Sequence, residues 1–134
     1  MSLITIKHQR DYHVTATVGN HRLVCDAPIE QGGIDAGPTP VELLAASVGT
    51  CMAIHIVKYC KAAGLPHEGF EMRLDYQLAK DPLRIGSITV DIELPDNFPR
   101  DRVVAVKRAA EQCTVKNTLK ENTSVDVEIL AGVA

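Results

Sequence analysis

A long apolar helix is the feature that most restricts how this chain can fold. Thr39 followed three residues later by Glu42 is the capping-box pattern of a helix N-terminus, and Gly64 predicts its end. The helix therefore holds about 24 residues and is about 36 Å long. Its middle, residues 44–54, is small and apolar on nearly every face, which is typical of a buried helix. One chain of 134 residues can hardly surround such a helix, so a second copy is expected to help cover it.

Alternating polar and apolar residues predict β-strands on both sides of this helix. The Gly19-Asn20 pair predicts a tight hairpin, and a loop rich in Gly and Pro covers residues 26–39. A helix over residues 100–112 and a shorter one from Cys113 follow the second group of strands. The predicted strands are Leu3–Ile6, Tyr12–Val18, His21–Cys25, Phe70–Ala79, Arg84–Leu94 and Val125–Leu130. This order predicts an α+β fold with mainly antiparallel sheets, in a single domain over residues 1–134.

Composition argues against several classes of partner. The chain has no Trp and a formal net charge of -3, so nucleic acid is not an expected partner. The apolar stretch Leu43–Val57 is interrupted by His55 and is shorter than the about 20 residues that span a bilayer, so no membrane association is expected. The first residues do not resemble a secretory signal, and the cytoplasm is the expected location.

The chain carries four cysteines, Cys25, Cys51, Cys60 and Cys113. No two of them have the Cys-x-x-Cys spacing of zinc ribbons and thioredoxin-like sites. Cys51 lies about three turns into the long helix, and Cys113 stands at a predicted helix start, where amide groups lower a thiol pKa. These positions leave two interpretations open, packing in a core or reaction between two thiols. Cys25 and Cys60 are expected to be structural.

Two stretches give the sequence a specific resemblance. Residues 26–51, ending PTPVELLAASVGTC, and residues 110–119, AEQCTVKNTL, resemble the two signatures of the OsmC/Ohr superfamily of osmotically inducible and organic hydroperoxide resistance proteins. Both family cysteines match, Cys51 on the long helix and Cys113 near the C-terminus. The predicted order of strands and helices also resembles the family over essentially the whole chain.

The resemblance implies an intertwined homodimer with mainly antiparallel sheets around a long buried central helix. It implies thiol-dependent reduction of organic hydroperoxides, without a metal or another cofactor. Cys51 would attack the peroxide and become a sulfenic acid, and Cys113 would condense with it to a disulfide that an external thiol reduces.

The resemblance also implies an arginine and a carboxylate beside the reactive thiol. Arg22, just after the Gly19-Asn20 turn, and Glu42 are the candidates for these roles. In the hydroperoxide-resistance branch the acidic residue directly follows the proline of the helix start, a position that Val41 occupies here. Glu42 is therefore both a catalytic candidate and a capping-box residue, and Arg22 is both a catalytic candidate and a surface residue.

Two alternative functions remain at the level of sequence. One is a non-catalytic OsmC-like module that binds a small ligand or senses redox state. The other is a metal site made by Cys51, His55 and Cys113, since His55 lies one turn after Cys51 on the same helix face.

Overall fold

The computed structural model of the protein describes residues 3–130, which form two compact units. The first unit contains the chain up to Gly49 together with Met72–Ile92. The second unit contains Thr50–Glu71 and the described chain from Glu93 onward. The expectation of a single domain over residues 1–134 stays a prediction, and each unit is described by itself below.

A three-stranded antiparallel sheet forms the N-terminal part of the first unit, in the order β1-β2-β3. The hairpin predicted from Gly19-Asn20 is confirmed, because Val18 pairs with His21 and Gly19 takes a positive φ of 58° that favours glycine. The strands are β1 Ile4–Arg10, β2 His13–Val18 and β3 His21–Cys25. A second, two-stranded sheet pairs β4 Glu71–Ala79 with β5 Arg84–Glu93.

The long helix is present as α1, Pro40–Ala63, and its predicted capping box is confirmed. The Thr39 amide donates to Glu42 Oε1 at 2.9 Å, and the Glu42 amide donates to Thr39 Oγ1 at 3.1 Å. Its buried side chains recur at helical spacing and are Ala45, Val48, Met52, Ile56 and Cys60. Only 28% of its most apolar stretch is buried, so the chain by itself leaves most of this helix uncovered, as the sequence predicts for a chain of this size.

The second half of α1 belongs to the second unit, which also holds two shorter helices, α2 Val103–Glu111 and α3 Thr114–Lys120. A 3₁₀ turn over Arg100–Arg102 leads into α2, so the helix predicted over residues 100–112 is present with a shorter α-helical part. The buried side chains of this unit make one apolar set: Met52, Ile56, Cys60, Phe98, Val106, Ala110 and Cys113.

The predicted closing strand Val125–Leu130 is wrong for the described chain. Residues 122–130 have no regular structure, and Val125 and Leu130 are 82% and 85% exposed. The alternation of Val125, Val127 and Ile129 gives this segment an apolar side. A strand also needs a neighbouring strand for its hydrogen bonds, and no strand of residues 3–130 pairs with this segment.

Candidate functional site

Two cysteines far apart in sequence meet in the second unit. Cys51 lies on α1 next to buried Met52, and the stripe of Met52 and Ile56 holds this part of the helix in the apolar interior. Cys51 itself is only half-buried. The structure describes it as a free thiol, like the other three cysteines.

Cys113 occupies the N-cap position of α3. The chain leaves α2 at Gln112, and Cys113 takes an extended backbone conformation (φ −68°, ψ 124°) before α3 begins. Its sulfur accepts a hydrogen bond from the amide of Lys116 at 3.3 Å, as a capping side chain does. The residue is 0% exposed, so Cys113 is buried against the core while Cys51 is the more accessible of the two.

The sulfur of Cys51 is surrounded by hydrogen-bond donors. The amide of Val115 donates to it, and so do the thiol of Cys113 and the amide of Thr114. These groups, together with the positive charge of Lys58, outweigh the effect of burial and hold the pKa of the Cys51 thiol below its ordinary value. Cys51 is therefore suited to be the thiolate of the pair.

Cys113 has the opposite tendency. Burial raises the pKa of its thiol, and the hydrogen bond to Cys51 raises it further, because the proton on Cys113 is the one shared with the Cys51 sulfur. The two thiols are therefore hydrogen-bonded to each other and have pKa values shifted in opposite directions. The arrangement can support attack by Cys51 on an electrophile, followed by closure of a disulfide with Cys113.

Arg22 and Glu42 lie in the first unit, and their catalytic roles stay predictions. Arg22 is exposed on β3 and lines a cavity of about 270 Å³ with Gln9, Arg10 and His13. Glu42 is exposed at the start of α1, where its carboxylate accepts the Thr39 amide.

The remaining cysteines and His55 take positions that suit packing or a cleft. Cys60 is fully buried, and burial raises the pKa of its thiol, as expected for a structural cysteine. Cys25 is half-buried at the end of β3.

Among residues 3–130, no group of three His, Cys, Asp or Glu side chains could hold a metal ion. The metal site considered from Cys51, His55 and Cys113 is therefore not supported.

The glycine-rich loop is ordered by a buried carboxylate. Asp26 is 4% exposed and accepts hydrogen bonds from the amides of Ala27 (2.7 Å), Ala36 (3.1 Å) and Ile34 (3.3 Å). Burial by itself would raise the pKa of Asp26, but these three amides hold it below its ordinary value. A side chain at Gly33 would meet the Ala27 carbonyl oxygen and the Asp26 carboxylate, which explains the glycine there.

Two parts of the thiol site escaped sequence reasoning. The amides of Thr114 and Val115 act through the backbone, so no residue type marks them. Lys58 did carry a signal, because it lies seven residues after Cys51 and positions i and i+7 share a helix face.

The family model described as OsmC-like protein matches residues 32–128, most of the chain. The chain belongs to the OsmC-like family. The match includes α1 with Cys51 and the segment with Cys113, in agreement with the resemblance seen in the two signatures.

OsmC-like proteins are soluble, which favours α1 as a core helix. By length and composition alone α1 could cross a membrane, so the expectation that its apolar stretch is too short was wrong.

Solved structures of the same fold confirm the α+β class with antiparallel sheets. A protein described as an osmotic stress induced and detoxification response protein from Psychrobacter arcticus is 22% identical, with a TM-score of 0.81 over 88% of both chains. An organic hydroperoxide resistance protein OsmC from Legionella pneumophila is 21% identical, with a TM-score of 0.69 over 91% of this chain and 90% of that one.

The organic hydroperoxide resistance protein OhrB of Bacillus subtilis is also 21% identical, with a TM-score of 0.64 over 91% of this chain and 92% of that one. At these identities the likeness concerns the fold. No curated protein matches the sequence significantly.

Proposed function

We propose that the protein is a cysteine-based peroxidase that reduces organic hydroperoxides in the cytoplasm. The observation that carries the proposal is the hydrogen-bonded pair of Cys51 and Cys113, with a lowered pKa on the accessible thiol and a raised pKa on the buried one. Two structural neighbours named for organic hydroperoxide resistance support the same chemistry.

The first step is attack by the Cys51 thiolate on the outer oxygen of the hydroperoxide. An S–O bond forms and the O–O bond breaks, so the sulfur is oxidised to a sulfenic acid while the peroxide is reduced by two electrons. The alkoxide leaves and takes up a proton to become the alcohol. The amides of Val115 and Thr114 stabilise the attacking thiolate beforehand. By resemblance, Arg22 is the candidate donor to the leaving oxygen, with Glu42 as its carboxylate partner.

The second step joins the two sulfurs. Cys113 attacks the Cys51 sulfenic acid, an S–S bond forms, and the S–OH bond breaks to release water with the proton of Cys113. The hydrogen bond between the thiols brings the two sulfurs together before oxidation, which supports this step. Two equivalents of an external thiol then reduce the disulfide and are themselves oxidised to a disulfide.

A second copy of the chain is part of the proposal. The α1 helix leaves Leu44 and Ile54 42% and 58% exposed, and β1 leaves Ile6 60% exposed. Exposed apolar side chains of this size are available to an interface between two copies of the chain. We expect a homodimer that buries the uncovered part of α1, which sedimentation measurements at micromolar concentration would detect.

Turnover of a neutral hydroperoxide with a dithiol reductant tests the function. The Cys51→Ser variant should lose activity by about 10³-fold or more, as removal of a catalytic nucleophile does. Cys25→Ser is the matched control, because Cys25 is also half-buried but lies in the first unit, and it should keep wild-type activity. Full turnover by Cys51→Ser would refute the peroxidase. Negligible turnover by the wild-type protein would favour the non-catalytic module instead.

A further inference from the structure

A cleft with a cationic lining lies between α1 and α2 in the second unit. Its volume is about 480 Å³, which is within the range of sites for small organic molecules. α1 contributes His55, Lys58 and Tyr59, and the α2 side contributes Arg108 and Gln112, together with two alanines. The chemistry described above does not use this cleft.

The lining of the cleft includes residues that lie close to the two reactive cysteines along the chain. His55 lies one helical turn after Cys51, and Lys58 lies about two turns after it, on the same face of α1. The charge of Lys58 contributes to the lowered pKa of Cys51, so it is close enough to act on that sulfur. On the other side, Gln112 directly precedes Cys113.

The charges of the cleft favour an anion. Lys58 and Arg108 are cations, and the other lining residues, His55, Tyr59, Gln112 and two alanines, include no acid. Arg102 adds a third positive group, since its Nη1 donates to the Tyr59 hydroxyl at 3.2 Å and leaves the phenol proton free to donate. The neighbouring acid on α2, Glu111, forms an ion pair with Lys116 at 3.7 Å.

We propose that this cleft binds the carboxylate of a small organic molecule and guides its reactive group to Cys51. Two cations with several neutral donors match a carboxylate, which accepts several hydrogen bonds at once. The inference rests on the proposed function and refines it, because it names the class of reactant. The anion is a hydroperoxide that bears a carboxylate or an acidic thiol that reduces the Cys51–Cys113 disulfide.

Both sources use balanced chemistry at the same sulfur. A hydroperoxy acid transfers its outer OH group to the Cys51 thiolate and leaves as the hydroxy acid after taking up a proton. An acidic thiol attacks the Cys51 sulfur of the disulfide as a thiolate, forms a mixed disulfide and releases Cys113. Cys51 is the sulfur attacked because Cys113 is fully buried.

Alkylation of reduced protein tests the cleft without any peroxidase turnover. Iodoacetate and iodoacetamide are close in size and differ by one negative charge, and each forms an S–C bond with a thiolate and expels iodide. Mass spectrometry of peptides gives the ratio of the two rates separately at Cys51 and at Cys25. We expect the iodoacetate to iodoacetamide ratio to be higher at Cys51 by about threefold or more at low salt and to fall as salt is added.

Charge-matched variants assign the effect to the cleft. Lys58→Met with Arg108→Met removes two cations of the lining and should bring the Cys51 ratio down to that of Cys25. Lys61→Met with Lys107→Met removes two exposed cations of the same helices outside the lining and should leave the ratio unchanged. Loss of Lys58 also raises the pKa of Cys51, but this slows both reagents alike and cancels in the ratio. Arg108→Met alone supplies a variant without that effect.

Two further arms identify the source of the anion. A short hydroperoxy acid is compared with its methyl ester as oxidant, and 3-mercaptopropionate is compared with its methyl ester as reductant of the oxidised protein. A preference for the acid that Arg108→Met abolishes, in either arm, supports the proposal and names the reactant. Equal alkylation ratios at Cys51 and Cys25, or no preference in both arms, would overturn it. Turnover of neutral tert-butyl hydroperoxide is measured in parallel, so a failed cleft and a failed peroxidase give different results.

Discussion

The thiol of Cys113 donates a hydrogen bond to the sulfur of Cys51, although the two residues belong to different helical segments. Because of this contact, the two thiols differ in pKa and in chemical role. The accessible sulfur gains donors and becomes the better thiolate, and the buried one keeps its proton until the first has been oxidised.

The first prediction concerns the pH dependence of Cys51 alkylation. Its pKa is lowered, so the thiolate fraction at neutral pH is larger than for an ordinary thiol, and the rate should reach half of its maximum below about pH 8.5. Iodoacetamide labelling followed by mass spectrometry measures this for each cysteine. A half-maximum at or above that pH would contradict the arrangement of donors around Cys51.

A proline at position 114 tests the contribution of the backbone. Thr114→Pro removes one amide that donates to Cys51, and the extended conformation of Cys113 is the one that a residue before proline prefers. Proline at the first helical position is also tolerated. We expect the alkylation midpoint of Cys51 to move upwards while the melting temperature stays close to that of the wild-type protein. An unchanged midpoint would show that the Thr114 amide does not stabilise the thiolate.

The third prediction separates the two roles considered for Glu42. Glu42→Gln keeps the capping box, since glutamine also serves at this position, but removes the charge. Thr39→Ala removes the reciprocal acceptor and should cost about 1 kcal/mol of stability. If Glu42 is the catalytic carboxylate, Glu42→Gln loses hydroperoxide turnover with an unchanged melting temperature. Full turnover by this variant would leave Glu42 with the capping role alone.

The fourth prediction concerns the buried carboxylate of the glycine-rich loop. The folded-state pKa of Asp26 is lowered, so its stabilising effect is present above the unfolded pKa of about 3.9 and is lost as the pH falls through the folded value. Asp26→Asn should therefore lower the melting temperature at pH 7, and its melting temperature should decline less in acid. Asp35→Asn is the matched control, because Asp35 is exposed in the same loop and asparagine tolerates its φ of 55°. Equal melting temperatures for Asp26→Asn and Asp35→Asn at pH 7 would contradict this role.

Sequence patterns were sufficient where the interactions are local. The Gly19-Asn20 hairpin and the Thr39–Glu42 capping box depend on neighbours in the chain, and the sequence alone predicts both. The segment from Val125 to Leu130 was predicted wrongly as a strand, because alternation does not tell whether an edge is available for pairing. Apolar content and chain length predict that one chain cannot surround α1, but they do not tell which of its residues stay exposed, because that depends on packing between distant segments.

In the candidate site, too, sequence patterns indicate individual residues but not the contacts between distant segments. Cys51 and Cys113 stood out in the sequence, but spacing could not bring their sulfurs together. The donors from Val115 and Thr114 are backbone groups, which any residue except proline supplies. Asp26 stands in a loop rich in Gly and Pro, and that pattern does not tell that the fold buries its carboxylate against three amides.

The most direct test of the central claim is a thiol and disulfide map after treatment with one equivalent of an organic hydroperoxide. The pairing of Cys51 with Cys113 predicts the loss of two free thiols per chain and one Cys51–Cys113 disulfide within that chain. Cys113→Ser should instead retain a Cys51 sulfenic acid that dimedone traps. Four free thiols after oxidation, or a disulfide that involves Cys25 or Cys60, would contradict the proposed mechanism.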